Sequence, residues 1–337
     1  MRIRRLFAWA LSGSLIAGAL ALVLPASAAS LKPVTFAYDF PGPDFELVPI
    51  VVAQQHGFFT AAGLKVKVVF PPNTSTTTQM LSVGSADIGF LTTTDMAIAV
   101  GAGAPVLSVA NYSMRNNWAL FAKPGTSLKA ATLKATLKGK RIFSYGDTWT
   151  EAMLPFILKY AGLAPSQVKI VTNPTAQDLV YLLANKVDFS TSTTNYELPG
   201  FVGQTKVKGH LSQLLGTAAG APDIPIWVYA TTKSYAGANS KVVRAFLSAV
   251  KKATLWAVKN PAAAAGEFDM AYPKSGYTDA YNKLGWALTI PFLTNAQGQY
   301  FTQTDAQWST LTAALKSIKL LTTAGAPSTY YTNQYLP

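Results

Sequence analysis

Two short stretches concentrate the side chains able to do chemistry. In SYGDTWTEAML, Tyr145, Thr148 and Trp149 fall close together, and in STSTTNYELPG, Asn195 and Glu197 flank Tyr196. Hydroxyl, amide and carboxylate groups supply hydrogen-bond donors and acceptors, while indole and phenol supply flat apolar faces. Such a set suits non-covalent capture of a small planar molecule. A second set of the same kind lies earlier: Asp39 and Phe40 in DFPGPDFE, Asn73 and Thr74 in FPPNTSTT, and Thr93 in TTTD. Covalent chemistry has little to draw on, because the chain has no cysteine and only two histidines, His56 and His210. It also has no Gly-x-Ser-x-Gly elbow, P-loop or His-Glu-x-x-His helix, so no nucleophile, nucleotide cradle or metal site is expected.

The elements that must position these residues are legible from Gly63 to Ala110. Val66, Val68 and Phe70 recur at strand spacing, a Thr-rich turn opens a helical run through Gln79, Met80 and Leu81, and Asp87 to Leu91 reads as a buried strand. A helix ending at Gly101 or Gly103 and a strand over Val106 to Ala110 complete a β-α-β-α-β pattern. In an open α/β sheet, ligands bind beyond the carboxyl ends of the strands, where helix N-termini offer unpaired N–H groups. The candidate loops stand at those ends. Upstream, Val34 to Tyr38 makes the first strand, and Pro41, Gly42 and Pro43 forbid regular structure after it. Asp44 is expected as a helix N-cap, with a ligand contact as the alternative, and His56 as a helix-end cap.

The same logic repeats downstream. GKRIFSY, VKIVT and VDFSTST read as strands, with helices from the turn before Trp149 and through DLVYLLANK. Thr148 and Glu151 have capping-box spacing. IPIWVYATT is a further strand, and beyond Asn239 the apolar spacing of Val243, Phe246, Leu247, Val250 and Ala257 is helical until Pro261. More helices are expected over 262–271, 278–288 and 305–319.

Residues 1–28 are set aside before any fold argument. Arg2, Arg4 and Arg5 precede an apolar run and the Ala26-Ser27-Ala28 motif, the layout of a signal peptide cleaved after Ala28. The rest still exceeds what one core usually accommodates, so two lobes are expected. Half of all residues are hydrophobic and 13% are charged, a globular composition. The formal charge is +13, three of it from the leader's arginines. The lysines are scattered along the sequence with no dense basic block beside stacking aromatics, so a solvated surface is expected and nucleic-acid binding is not.

The succession AQQHGFF, AAGLKV, FPP, QMLSVGSADIGF and GAPVLSVA resembles, in order as well as content, the extracytoplasmic solute-binding proteins of ABC importers. The similarity is to the group that binds aliphatic sulfonates or the pyrimidine precursor of thiamine, and it runs from about Val34 to Tyr235. The resemblance implies an α/β, two-lobed periplasmic binding protein fold of type II with two hinge crossings, near Trp118 to Lys123 and Ile226 to Thr231. Lobe 1 is then discontinuous, 29–117 and 232–337, and lobe 2 is 118–231. It also implies a monomer in the periplasm, a small-molecule ligand without cofactor or metal, and a membrane permease as partner. Binders of the thiamine pyrimidine carry an aromatic residue, an Asn and a Glu where this chain has TNYE, so Asn195 and Glu197 are ligand candidates by resemblance. The alternative is a sulfonate or taurine-type anion, for which Arg115 would be the pairing cation, although a surface role suits Arg115 better. Glu197 would repel such an anion. A fungal pyrimidine synthase shares the fold, which makes an enzyme the third reading.

Overall fold

The structure is a computed structural model that describes residues 30–337, except 175–176, 204–207 and the side chain of Thr74. The leader and its cleavage site lie outside the described residues. Ten strands form two groups. β1 (Lys32–Tyr38), β2 (Leu64–Val69), β3 (Ile88–Thr92) and β4 (Val106–Asn111) come first in the chain. β5 (Trp118–Ala122), β6 (Arg141–Ser144), β7 (Lys169–Thr172), β8 (Ser190–Thr193) and β9 (Ser212–Leu215) follow, and β10 (Trp227–Thr232) is last.

The first sheet has the order β2-β1-β3-β10-β4. β1 runs parallel to both β2 and β3, while β10 inserts antiparallel between β3 and β4. The expected β-α-β-α-β run is present, with strand ends within two residues of the sequence reading. Helices cover both faces, as a mainly parallel sheet requires. On one face Val48–Gln55 and Ser240–Lys259 bury a single apolar cluster, with the Phe36 and Phe246 rings 5.6 Å apart. On the other, Thr93–Gly101 and Asp305–Ser317 pack around Met96, Trp308 and Leu311. The C-terminal helices are Ser240–Lys259, Pro261–Ala271, Asp279–Thr289 and Asp305–Ser317, close to the expected bounds. Pro261 ends one helix and occupies the first turn of the next, where its missing N–H costs nothing. The C-terminal region also satisfies buried polar groups of β4: Ser108 Oγ donates to Gln303 Oε1 at 2.6 Å, and the amides of Asn111 and Gln307 exchange two bonds.

The second group is a three-stranded antiparallel sheet, β8-β5-β9, beside the parallel pair β6-β7. A bridge between Ile142 and Phe189 and the bond from Thr191 Oγ1 to the Phe143 carbonyl (2.9 Å) join the two pieces. β9 is an element that sequence reasoning did not place.

The chain passes between the groups twice, between Asn111 and Trp118 and between Leu215 and Trp227. β10, expected as part of the return crossing, lies wholly in the first sheet; it is buried from Val228 to Thr232 and pairs on both edges. The crossing therefore precedes Trp227. The two crossing segments are tied to each other. Asp223 accepts from the Asn116 N–H (2.9 Å) and Arg115 Nε (3.1 Å), and Ser113 Oγ accepts from the N–H groups of Ile226 and Trp227.

Candidate functional site

Between the two groups lies a cavity of about 660 Å³, walled by the carboxyl ends of β1, β3, β6 and β8 and the helices that follow them. Each wall is built by local chemistry. Thr92 ends β3 and caps the next helix, its Oγ1 accepting from the Asp95 N–H at 3.1 Å. Asp147 does the same after β6, accepting from the Thr150 N–H at 2.7 Å. The cap is thus Asp147 and not Thr148, which is the first helical residue; the expected Thr148–Glu151 box does not form. Moving the cap by one residue frees the Thr148 hydroxyl. It donates to Asp95 Oδ1 at 2.7 Å and lies 2.7 Å from Thr94 Oγ1, so the two walls meet here by direct bonds.

Aromatic faces line much of the remainder. Phe40 sits 5.3 Å from Trp227 and 6.2 Å from Tyr196, ring centre to ring centre. Trp149 is buried against the cavity, Trp118 lines it beside Trp149 and bonds Thr150 through its indole N–H, and Tyr277 and Tyr281 stack at 4.5 Å on the opposite rim.

The lining is also acidic. Asp39, Asp95, Asp147, Asp178 and Glu197 all reach it, and among the described residues no lysine, arginine or histidine does. Asp95 and Asp147 are engaged as described. Asp178 and Glu197 are only 3% and 4% exposed. Tyr145 donates its hydroxyl to Asp178 Oδ1 at 2.8 Å, yet Asp178 Oδ2 and Glu197 Oε2 are buried without a hydrogen-bond partner. Burial, and then the neighbouring Asp178 charge, push the Glu197 carboxyl well above the usual range.

Of the ten residues singled out in the sequence, Asp39, Phe40, Tyr145, Thr148, Trp149 and Glu197 line this one cavity. The other four stand elsewhere. Asn73 is an exposed N-cap whose Oδ1 accepts from the Thr76 N–H at 3.0 Å, and the Thr74 side chain is outside the description. Thr93 is buried, donating its hydroxyl to the Pro225 carbonyl at 2.9 Å, so it anchors the return crossing. Asn195 is fully buried beneath the cavity: its amide donates to Glu46 Oε1 and Thr289 Oγ1, both at 3.0 Å, and accepts from Asn117 Nδ2 at 2.8 Å. Arg115 does not line the cavity either; it pairs with Asp223 at 3.1 Å near the crossings. Asp44 is the expected cap, accepting from the Glu46 N–H, and also takes the hydroxyls of Tyr38 and Tyr196. His56 ends its helix as expected, with Nε2 2.9 Å from Glu267 Oε1. Residues that sequence reasoning missed are Asp178, Tyr277 and Tyr281. Tyr281 is on the helix Asp279–Thr289 and Tyr277 in the bend before it, and nothing local in the sequence marks either.

A sheet pair linked by two crossings, with a cleft at the strand ends, is the fold of the two-lobed periplasmic binding proteins. An alkanesulfonate-binding protein from Xanthomonas axonopodis pv. citri, solved with MOPS bound, superposes with a TM-score of 0.66 over 90% of this chain and 99% of that one, at 19% identity. The chain belongs to the NMT1/THI5-like family, whose pattern matches residues 44–264. Similar relatives include a 4-amino-5-hydroxymethyl-2-methylpyrimidine phosphate synthase from Legionella pneumophila, 25% identical over 86% of this chain and 88% of that protein. A formylaminopyrimidine-binding protein from Halalkalibacterium halodurans is 26% identical over 63% of this chain and 62% of its own length. Among the described residues no helix is long and apolar enough to cross a membrane.

Proposed function

We propose that this protein is the solute-binding component of an ABC importer and that it captures a planar, amino-bearing heterocycle of the aminopyrimidine class between its lobes. The observation that carries the reading is the cavity lining, five carboxyl side chains among aromatic walls with no cation among the described residues. A sulfonate brought there would lose its hydration without gaining a counter-charge, and would face Asp178 and Glu197. A ring amine or protonated ring nitrogen instead supplies donors to the two buried carboxyl oxygens that lack one. Trp149, Trp227, Phe40 and Tyr196 then offer faces for stacking, and the cavity volume of about 660 Å³ falls within the ordinary range for small-molecule sites.

The tied segments 112–117 and 216–226 act as the hinge in this reading. Closure is a population shift toward the state in which Thr148 bonds Asp95, and the closed monomer is what a permease in the membrane recognises after export to the periplasm. Calorimetric titration tests it: an aminopyrimidine binds and an alkanesulfonate does not. Tight binding of the sulfonate with no response to the aminopyrimidine would overturn the assignment.

A second reading is a synthase-like activity, favoured by the pyrimidine phosphate synthase among the relatives and by the Tyr145–Asp178–Glu197 group, in which a lifted carboxyl could hold a proton. Native mass spectrometry of the purified protein separates the two. A carried ligand that stays intact supports capture; its conversion on incubation, or stoichiometric iron, supports the enzyme.

A further inference from the structure

The lysines that look scattered in the sequence are gathered by the fold. From Leu128 to Ile170 there are seven Lys and Arg residues and two acids, Asp147 and Glu151. Both acids sit in the first turn region of the helix Thr148–Tyr160, at its cleft end. The cations sit at the other end. Lys134 lies on the short helix Leu133–Leu137, with its Nζ beside Gly162, and Lys159 closes the long helix. The Gly139 N–H donates to the Gln167 carbonyl at 2.7 Å and the Lys169 N–H to the Lys140 carbonyl at 2.8 Å, which brings Lys138, Lys140 and Lys169 to the same end. Lys134, Lys138, Lys140, Lys159 and Lys169 thus surround the loop 161–168; all are exposed, and none is engaged in an ion pair among the described residues. Arg141 alone is neutralised, by Asp188 at 3.1 Å. Two large apolar side chains beside this loop are partly exposed: Tyr160, at 52%, rests against Gly220, and Ile170, at 40%, lies in a groove with Leu158 and Pro165 that Glu151, Ile318 and Leu320 also line.

An exposed aromatic and an aliphatic side chain framed by unpaired lysines fit a surface that is anionic at its face and apolar a few ångströms below. We propose that this pole of the second lobe, opposite the cleft, docks on an anionic lipid surface, with the lysines at the phosphates and Tyr160 and Ile170 dipping into the headgroup boundary. Docking at the pole leaves the cleft free, so the protein stays on the membrane while it loads and closes.

The test is sedimentation of the full mature chain with vesicles of phosphatidylcholine alone and of phosphatidylcholine with one quarter phosphatidylglycerol. Binding is expected only to the anionic vesicles and is lost at high salt. The triple variant Lys134→Glu, Lys138→Glu, Lys159→Glu lowers the partition by on the order of a hundredfold, from about fivefold per lysine near such a surface. A control with equal charge change on the first lobe, Lys241→Glu, Lys252→Glu, Lys259→Glu, loses only a few-fold, and the pair Tyr160→Ser, Ile170→Ser weakens binding without changing its salt slope. Circular dichroism and ligand titration on each variant exclude misfolding as the cause. Equal loss in both triple variants would mean net charge alone is sensed and would overturn the proposal, as would absence of anionic-vesicle binding or capture by heparin without capture by vesicles.

Discussion

The protein buries two pairs of acidic side chains close to its cleft, and they differ in what they face. Asp44 and Glu46, beneath the floor, are supplied with donors from both lobes: Tyr38, Tyr196 and a backbone N–H for Asp44, and Asn195 for Glu46. At the wall, Asp178 accepts from the Tyr145 hydroxyl and the Leu179 N–H and Glu197 bonds the Ser192 side chain, while Asp178 Oδ2 and Glu197 Oε2, like Glu46 Oε2 at the floor, are buried with no donor. Buried carboxyl oxygens without donors are costly wherever they stand, but only the second pair lines the cavity. In the proposed reading the first pair ties the two groups of strands together and the second meets the guest.

The largest expected effect breaks the floor. Asn195→Ala removes three buried bonds and strands the Glu46 carboxyl, so chemical denaturation should show a loss of about 3 kcal/mol. Ligand affinity should fall no further than that destabilisation explains. A large affinity loss at unchanged stability would place Asn195 with the wall instead. Glu197→Gln is the converse case. It keeps the shape and removes a carboxyl whose Oε2 has no donor, so stability should hold while calorimetry shows about tenfold weaker aminopyrimidine binding. Sulfonate binding, if measurable, should improve.

Titration sharpens the contrast. Burial lifts Asp44 from 3.8 to about 6, and burial followed by the Asp44 charge lifts Glu46 well above its ordinary value. Because the folded chain holds protons that the unfolded chain releases, the contribution of Asp44 is fully present below about pH 4. It is lost as pH rises toward 6, at up to about 1.4 kcal/mol per unit. Asp44→Asn should flatten that slope in urea melts run from pH 4 to 7. At the wall the readout is the ligand: a donor that ionises Glu197 expels its proton, so binding enthalpy should vary with the ionisation heat of the buffer, in the sense of proton release. The smallest effect is expected at the rim. Thr148→Val deletes the bond to Asp95, worth about 1 kcal/mol, and should weaken binding a few-fold by calorimetry.

How much of this the sequence reveals depends on how local each cause is. Period-two spacing at Val66 and Val68, and caps such as Asn73, act within one turn, and they place β1 to β4 within two residues. β10 was legible as a strand but not in its position, because insertion between β3 and β4 depends on partners more than a hundred residues away. β9 is short and reads SQLL, with no alternation to mark it. At the site, one residue decides. Thr92 and Thr93 are equivalent in the TTTD motif, yet Thr92 ends the strand and lines the cavity while Thr93 turns inward to Pro225. Tyr277 and Tyr281 arrive from a bend and the helix after it, fifty residues beyond the wall residue Trp227, and nothing near them in sequence points to a cleft. Glu197 was found through resemblance and its aromatic neighbour; its partner Asp178 looked like an ordinary first-turn acid.

The place of β10 has a consequence for how the chain is made. The first sheet cannot close until Trp227–Thr232 has been synthesised, because that strand separates β3 from β4. Until then two buried, apolar strand edges have no partner, and pairing across so long an interval is slow. A nascent chain of some two hundred residues therefore stays unfinished, with its central β-ladder open. In the proposed reading, where the chain is exported before it folds, such late completion delays premature collapse. The same open edges make a C-terminally truncated form, ending before Trp227, prone to aggregate rather than to yield a stable half.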